Sequence, residues 1–184
     1  YQLARDHFAC DVHQCPDMAF YLGPLQRPCA PSHPLLLLMR TDREASGKRA
    51  GVAANTPPEA LTADWLDEPA GMKERIKAKA VLDTLSSLSL SKLALRERYY
   101  AHLAGERVAR GLRLLASGRF IVTDRLHAHI LCTLMDVPHA VLDNNYGKVS
   151  GFMDLWTGDY EHASRAPDVA AALDAWAHRI EAPV

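Results

Sequence analysis

Two side chains suited to anion chemistry, Arg125 and His127, follow directly after a short apolar run. Phe120–Thr123 is rich in β-forming residues, and Leu126–Met135 is apolar and compatible with a helix. The guanidinium of Arg125 is a permanent, planar cation that can bind a carboxylate or a phosphate through two hydrogen bonds. His127 can exchange a proton near neutral pH. The spacing therefore predicts anion binding and proton transfer at one place.

A strand that runs directly into a helix places these side chains at the carboxyl edge of a parallel sheet, where α/β proteins bind ligands. The unpaired amides of the first helical turn also favour an anion. Asp124 is expected either to cap the helix or to orient Arg125 or His127. Arginine and histidine are also common as plain surface residues in a first helical turn. Both interpretations therefore stay open from these residues alone.

The surrounding elements alternate between strands and helices. Leu35–Met39 is a continuous apolar run bounded by proline and charge, which is typical of a strand buried on both faces. Val137–Leu142 predicts a further strand, Gly147–Trp156 a helix, and Asp168–Ile180 a closing helix. We therefore predict an α/β fold with a Rossmann-like parallel sheet and flanking helices, in a single domain over residues 1–184.

The N-terminal third is less regular. Ala9–His13 predicts a short strand and Met18–Leu22 an apolar turn of helix, with Asp17 as its cap or turn residue. Residues 44–71 are rich in glycine, proline and charge, so we expect a long loop or a lid.

Residues 72–116 predict a helical segment. It consists of two helices, Met72–Leu85 and Lys92–Ala116, joined by the serine-rich Ser86–Ser91. Gly118 is expected to end the second helix. Apolar residues of that helix can form one stripe toward a core, namely Leu93, Tyr100, Leu103, Val108, Leu112 and Leu115.

The composition excludes several classes of protein. The chain is 48% hydrophobic and 23% charged, as in ordinary soluble domains, and its net charge is −1. No global basic field indicates nucleic acid as a partner. The longest apolar run, Pro34–Met39, is too short to span a bilayer, so no transmembrane segment is expected.

The four cysteines do not predict a metal site. Cys10 and Cys15 are spaced somewhat like a ligand pair, but no second close pair completes a tetrahedral site. Cys132 lies in an apolar helical stretch and is expected in the core, whereas Cys29 is isolated in sequence. A reduced protein is the default expectation.

The chain resembles the polysaccharide pyruvyl transferase family over about residues 10–156. The specific part of the resemblance comprises Thr123-Asp124-Arg125-Leu126-His127, Pro138, Leu142-Asp143-Asn144, Tyr146-Gly147-Lys148 and Phe152-Met153-Asp154-Leu155-Trp156. Two weaker parts are Cys15–Phe20, with its aspartate, and Leu35–Arg40, a strand that ends in an arginine.

The resemblance implies transfer of a pyruvyl group from phosphoenolpyruvate to hydroxyls of a sugar in a polysaccharide, such as an exopolysaccharide, or its precursor. It implies no cofactor, with phosphoenolpyruvate as donor substrate and a sugar or polysaccharide as acceptor. It also implies one half of a GT-B-type glycosyltransferase fold, the C-terminal donor-binding half, and a cytoplasmic location. The catalytic residues would be Arg125 and His127. The substrate-binding residues would be Arg40, Leu126, Asp124, Asn144 and Lys148.

The residue types suit that chemistry. Two guanidinium groups and a helix N-terminus can hold the donor's carboxylate and phosphate, and His127 can act as general acid or base. Lys148 is expected either to contact phosphate or sugar or to be a solvated surface residue. Asp143 and Asn144 are expected to cap the next helix or to bind sugar, and His139 is expected to be structural.

The chain also departs from the family pattern. It begins at Tyr1, and the family's N-terminal half, with a glycine-containing nucleotide-like loop, is absent. We therefore expect a piece that can bind the donor without turnover of its own. One alternative is a glycosyltransferase of similar fold that uses a nucleotide sugar, although no glutamate suited to a ribose is evident near 142–156. Another is a non-catalytic binding domain. The sequence sets neither the oligomeric state nor the choice between a ketal and an enolpyruvyl product.

Overall fold

The computed structural model describes residues 1–41, 56–87, 91–143 and 147–181. The described elements are α1 (Gln2–His7), a 3₁₀ helix (Met18–Leu22), β1 (His33–Leu38), β2 (Leu61–Ala63), α2 (Met72–Ser86), α3 (Lys92–Ser117), β3 (Gly118–Thr123), α4 (Leu126–Leu134), β4 (His139–Leu142), α5 (Lys148–Phe152), a π-helical turn (Met153–Thr157), β5 (Ala163–Ala166) and α6 (Val169–Glu181). Within these ranges, no helix has both the length and the apolar character needed to cross a membrane.

The five strands form one sheet in the order β2-β1-β3-β4-β5, and all neighbouring strands are parallel. The predicted Rossmann-like α/β fold is confirmed. The chain adds β2 on one side of β1 and β3 on the other, so the order of strands reverses between β1 and β3. In open α/β sheets the crevice at the carboxyl ends of such a pair is the usual ligand site.

Strand β1 lies at the centre of the core, and this position explains why its sequence contains an unbroken run of leucines. Leu35 and Leu37 point to the face that α6 covers, while Leu36 and Leu38 point to the face that α3 and α4 cover. All four side chains have no solvent exposure. A central parallel strand with helices on both faces needs apolar residues at every position, so the sequence does not alternate.

Helix α3 passes directly into β3 at Gly118, as expected from the sequence. A Cβ atom at this position would lie 2.9 Å from the Cβ of Leu36. The φ angle of Gly118 is −88°, so a left-handed conformation is not the reason for glycine here. Glycine is required because α3 and β3 approach β1 more closely than any side chain allows.

One predicted strand is wrong, and two observed strands were not predicted. Ala9–His13 is irregular rather than a strand, because its residues are mostly exposed and no neighbouring strand is available for pairing. β2 and β5 were not predicted, since both are short edge strands with few buried residues. β2 lies within the predicted loop over 44–71, and residues 44–55 of that loop lie outside the described residues.

The two predicted helices of 72–116 are confirmed as α2 and α3, but the predicted stripe on α3 is only partly correct. Leu103 and Leu115 are buried, whereas Leu93, Tyr100 and Val108 are more than half exposed. The reason is that α3 changes partner along its length. Its second half packs on the sheet, while its first half packs on α2 through a small cluster that includes Leu103.

A buried polar chain crosses the core between α4 and β4, and we call its two imidazoles the buried histidine pair (His129 and His139). Nδ1 of His139 lies 2.7 Å from the carbonyl oxygen of Val137, so this nitrogen carries the proton. Nε2 of His139 then accepts from Nδ1 of His129 at 2.8 Å, and Nε2 of His129 accepts from the Thr157 hydroxyl at 2.7 Å. The prediction that His139 is structural agrees with these contacts.

Candidate functional site

The segment that follows β3 meets the segment that follows β1. The register pairs Leu38 with Thr123, so both strands end at the same level of the sheet. The Thr123 hydroxyl donates a hydrogen bond of 2.8 Å to the Leu38 carbonyl oxygen. Arg40 and Arg125 therefore follow neighbouring strand ends at the crevice where the strand order reverses, the usual place for a ligand in this fold.

Asp124 fixes the backbone at this crevice. Its buried carboxylate accepts a hydrogen bond of 2.9 Å from the Arg40 amide, which holds the end of β1 against the end of β3. Burial raises the pKa of Asp124, while the Arg40 amide and the charge of Arg125 act in the opposite direction. The expected capping role is wrong, because Arg125 occupies the N-cap position of α4 and makes no side-chain cap. Substrate binding by Asp124 stays a prediction.

Arg125 is held by a residue that the sequence did not single out, Asp64, directly after β2. Oδ1 of Asp64 pairs with Nη2 of Arg125, and Oδ2 accepts from the amide and the hydroxyl of Thr41 at 2.9 and 2.6 Å. The Asp64 side chain is 1% exposed and that of Arg125 is 11% exposed. The guanidinium is thus oriented by a carboxylate that is itself fixed by hydrogen bonds.

The surroundings of Asp64 keep it ionised. Burial acts to raise its pKa, but the hydrogen bond from the Thr41 hydroxyl and the charge of Arg125 outweigh burial, so the pKa lies below its usual value. The indole of Trp65 lies beside the same guanidinium, with the Arg125 Cζ atom 5.9 Å from the ring centroid. An ion pair and an aromatic ring together restrict Arg125 to one orientation.

His127 lies in the first turn of α4 and faces solvent, with its side chain 60% exposed. Its Nε2 atom is 3.5 Å from Oδ2 of Asp17. Oδ1 of Asp17 accepts a hydrogen bond of 2.9 Å from the Ala19 amide, so Asp17 caps the 3₁₀ helix, as expected. The imidazole is thus open to solvent beside a carboxylate that is itself held by a hydrogen bond. Proton transfer by His127 stays a prediction.

A groove of about 700 Å³ opens beside His127, and we call it the lateral groove. Its walls come from the 3₁₀ helix, the segment after β2, and helices α2, α3 and α4. It is lined by Ala19, Leu22, Trp65, Leu66, Glu68, Lys73, Arg107, Val108, Arg110, Gly111, His127 and Leu131. Nε of Arg107 donates a hydrogen bond of 2.5 Å to Glu68, and Lys73 lies 3.3 Å from the same carboxylate. The groove thus combines apolar walls with an ion-pair network.

Comparison with known proteins identifies the family. The family model for polysaccharide pyruvyl transferase matches residues 1–146. The chain belongs to this family. It is 31% identical over 160 residues to "Pyruvyl transferase 1" of Schizosaccharomyces pombe, with 79% of this chain and 34% of that protein covered. It is 29% identical over 186 aligned residues to "Putative pyruvyl transferase EpsO" of Bacillus subtilis, with 94% of this chain and 54% of that protein covered. The chain thus spans about a third to a half of these relatives.

In this member of the family, Leu126 has a packing contact that the sequence did not specify. It packs on Val141, Val149 and Met153, and so anchors the first turn of α4 to β4 and the elements after it. This contact sets the direction of the neighbouring Arg125 and His127. Direct contact between Leu126 and substrate stays a prediction.

The segment after β4 contains the remaining predicted site residues. Oδ1 of Asp143 accepts hydrogen bonds from the Val149 and Ser150 amides at 3.2 and 3.4 Å, so Asp143 caps α5. Lys148 is exposed at the first position of α5, one strand away from Arg125 in the sheet. Asn144 lies outside the described residues. Substrate binding by Asn144 and Lys148 stays a prediction.

The ionisable residues of the described ranges do not assemble a metal centre, since they contain no cluster of three or more His, Cys, Asp or Glu placed to hold an ion. Cys132 is buried in the core, as predicted, and Cys10, Cys15 and Cys29 are exposed free thiols. At this site Arg125 and the uncapped amides of the first turn of α4 can bind an anion, whereas Asp64 and Asp124 are held by partners within the protein.

Proposed function

We propose that this chain binds phosphoenolpyruvate at the crevice between β1 and β3 and supplies the donor half of a pyruvyl transferase acting on sugar hydroxyls. The observation that carries the proposal is the orientation of Arg125 by Asp64 and Trp65 at the point where the strand order reverses. Membership of the family supports the reaction type.

The charges around the crevice divide into two contributions. The pair of Arg125 and Asp64 has no net charge, so Arg125 supplies directed hydrogen bonds rather than a positive field. The amides in the first turn of α4, which no side chain caps, supply a positive potential, and the guanidinium of Arg40 is a second proposed contact for the donor. The donor carries a carboxylate and a phosphate, and two guanidinium groups on adjacent strands can bind one each.

The reaction proposed for this site starts when an acceptor hydroxyl adds to C2 of the donor while C3 gains a proton. Phosphate then leaves with the electrons of its C2–O bond, and Arg40 and Arg125 stabilise the charge that develops on it. A second hydroxyl can add to C2 to form a ketal, or C3 can lose a proton to give an enolpyruvyl ether. His127 is the proposed proton donor and acceptor, since it is exposed and follows Arg125 by two positions in the chain.

The lateral groove is the proposed approach for the acceptor. His127 belongs to its wall, so an acceptor in the groove would meet the proposed acid–base group. The groove also contains Trp65, whose ring can stack on the apolar face of a sugar, and the Glu68 and Arg107 pair, which can bond hydroxyls. This location brings acceptor, proton and donor to one edge of the sheet.

Isothermal titration calorimetry with phosphoenolpyruvate tests the proposal. We expect saturable binding that Arg125→Ala weakens at least about tenfold, since a hydrogen bond to a charged group contributes about 1.5–3 kcal/mol. The matched control is Arg119→Ala, an exposed arginine at the opposite end of the same strand, and it should bind like the unaltered chain.

Two results would contradict this assignment. A folded chain that binds no phosphoenolpyruvate would show that this half does not hold the donor. Equal losses for Arg125→Ala and Arg119→Ala would show that binding is unspecific attraction to positive charge. A parallel titration with a nucleotide sugar distinguishes the pyruvyl transferase proposal from the glycosyltransferase alternative. The alternative predicts that the chain binds the nucleotide sugar and not phosphoenolpyruvate.

A further inference from the structure

The hairpin of α2 and α3 extends well beyond the sheet. Helix α3 has 26 residues, and β3, which follows it antiparallel, has 6. At about 1.5 Å and 3.3 Å per residue these lengths are about 39 Å and 20 Å. Helix α3 ends at the amino end of β3, and its residue Arg110 donates hydrogen bonds to the carbonyl oxygens of Trp65 and Asp67, just past the carboxyl end of β2. Helix α3 therefore runs back along the sheet, and its first half projects about 20 Å past the carboxyl edge. The distal part of the hairpin therefore lies on the same side of the molecule as the proposed site.

The distal end of this hairpin exposes large apolar side chains, and we call Val81, Leu82, Leu85 and Leu93 the apolar tip. The exposed fractions of Leu82, Leu85 and Leu93 are 63%, 54% and 64%. These side chains do not belong to the interface between the two helices, because the buried face of α2 consists of Met72, Ile76, Ala80 and Thr84. Exposed apolar side chains grouped in this way indicate a surface that contacts a membrane, another protein or a ligand.

The charge around the apolar tip is strongly positive. Between residues 77 and 98 the sequence has five basic and two acidic residues, a net charge of +3 in a chain whose total is −1. Asp83, which lies in the chain between Leu82 and Leu85, has its Oδ2 atom 2.6 Å from Nε2 of His102. Lys77, Lys79 and Lys92 are exposed beside the apolar residues. Lysine stems can lie along an apolar phase while their ammonium groups reach polar headgroups.

We propose that the apolar tip docks on the surface of an anionic lipid bilayer. An apolar end surrounded by cations matches the two properties of such a surface, an acyl interior and negatively charged headgroups. The contact is peripheral, because neither helix of the hairpin can span a bilayer. A protein partner would match the apolar residues equally well but gives no reason for the local excess of positive charge.

Docking would also orient the proposed site. The tip and the crevice lie on the same side of the sheet, so a docked chain holds its carboxyl edge toward the headgroups at a distance of about 20 Å, the projection of the hairpin. An acceptor attached to the membrane would then meet the lateral groove without leaving the surface. This placement does not depend on the identity of the donor.

Sedimentation of the 184-residue chain with phospholipid vesicles tests this inference. We expect binding to vesicles of phosphatidylcholine mixed with phosphatidylglycerol, and little binding to phosphatidylcholine alone. Leu82→Glu should weaken binding about tenfold or more, and Lys79→Glu about fivefold or more. Increasing salt should weaken binding further.

Matched controls separate docking from general effects of charge. The control for Leu82→Glu is Leu155→Glu, which adds the same charge at a leucine that is 59% exposed and lies outside the hairpin. The control for Lys79→Glu is Arg119→Glu, which reverses the charge of a basic residue at the opposite edge of the sheet. Both should bind vesicles like the unaltered chain, and circular dichroism should show that all four variants are folded. Equal binding to neutral and anionic vesicles, no binding at all, or equal losses in variants and controls would overturn the inference. A dimer that Leu82→Glu dissociates, without vesicle binding, would assign the tip to a protein contact instead.

Discussion

Lowering the pH from about 7.5 to about 5.5 should destabilise this protein through its buried histidine pair. Burial lowers the pKa of His129 to about 3, and the nearby charges of His139 and Arg165 act in the same direction. Burial lowers the pKa of His139 to about 4. In the unfolded chain both imidazoles should titrate near their ordinary pKa of 6.5. The unfolded state thus binds more protons across this range.

The size of the effect follows from this difference. A histidine whose pKa is lower in the folded state than in the unfolded state does not reduce the free energy of unfolding at a pH above its unfolded-state pKa. As the pH falls below that value toward the folded-state pKa, the unfolded state takes up the proton first, and the free energy of unfolding decreases. At pH 5.5, one unit below 6.5 and still above both folded values, each histidine has lost about 1.4 kcal/mol. The pair together therefore removes about 3 kcal/mol from the free energy of unfolding.

Urea denaturation at a series of pH values measures this loss directly, because the midpoint shifts while the slope with urea should stay constant. NMR of the imidazole nitrogens shows whether this loss of stability comes from the pair, since His129 and His139 should stay neutral in the folded protein down to about pH 5. His7→Gln, which removes an exposed histidine, should leave the pH dependence unchanged. A free energy of unfolding that is flat between these pH values, or NMR signals that show protonation of the pair near pH 6, would refute the reasoning.

Two further predictions concern named contacts. Asp64→Asn should lower the free energy of unfolding by about 2–4 kcal/mol and weaken donor binding, because it leaves the mostly buried Arg125 unpaired while keeping hydrogen bonds to Thr41. Urea denaturation measures the loss of stability, and calorimetry measures donor binding. An unchanged affinity for the donor would exclude orientation of Arg125 by Asp64. Gly118→Ala should destabilise the fold by about 1–3 kcal/mol, because the added Cβ atom would lie 2.9 Å from Leu36. Gly105→Ala, which adds a Cβ atom in open space on α3, should stabilise the fold by up to about 1 kcal/mol. Equal effects of the two substitutions in thermal unfolding would show that close packing at Gly118 is unimportant.

The central elements could be predicted from the sequence because their local signals agree with their final surroundings. The apolar run at Leu35–Met39 has no other stable place than between two helical layers. The change from a β-rich run to a helical pattern at Thr123 gave the edge at which Arg125 and His127 lie. The edge strands β2 and β5 could not be predicted this way, because strands of three and four residues acquire their structure from pairing with a neighbour.

The parts of the site that were missed depend on contacts between distant residues. Asp64 follows a strand too short to be recognised, so the residue that orients Arg125 carried no signal of its own. A carboxylate after Leu61–Ala63 would have been the clue if β2 had been identified. Asp124 was expected to act within its own helix, yet its hydrogen bond goes to Arg40, 84 positions away. Local capping rules cannot reveal such a partner.

The two aspartates have a consequence for how the crevice forms during folding. The contact between Asp124 and Arg40 spans 84 positions, and that between Asp64 and Arg125 spans 61. The crevice therefore cannot assemble before three strands have paired, and a nascent chain that lacks β3 has no site. A ligand that occupies the crevice must accordingly stabilise the whole sheet, by about 2.7 kcal/mol at a hundred times its dissociation constant. Substitutions anywhere in β1, β2 or β3 that loosen strand pairing would then weaken donor binding without contacting the donor.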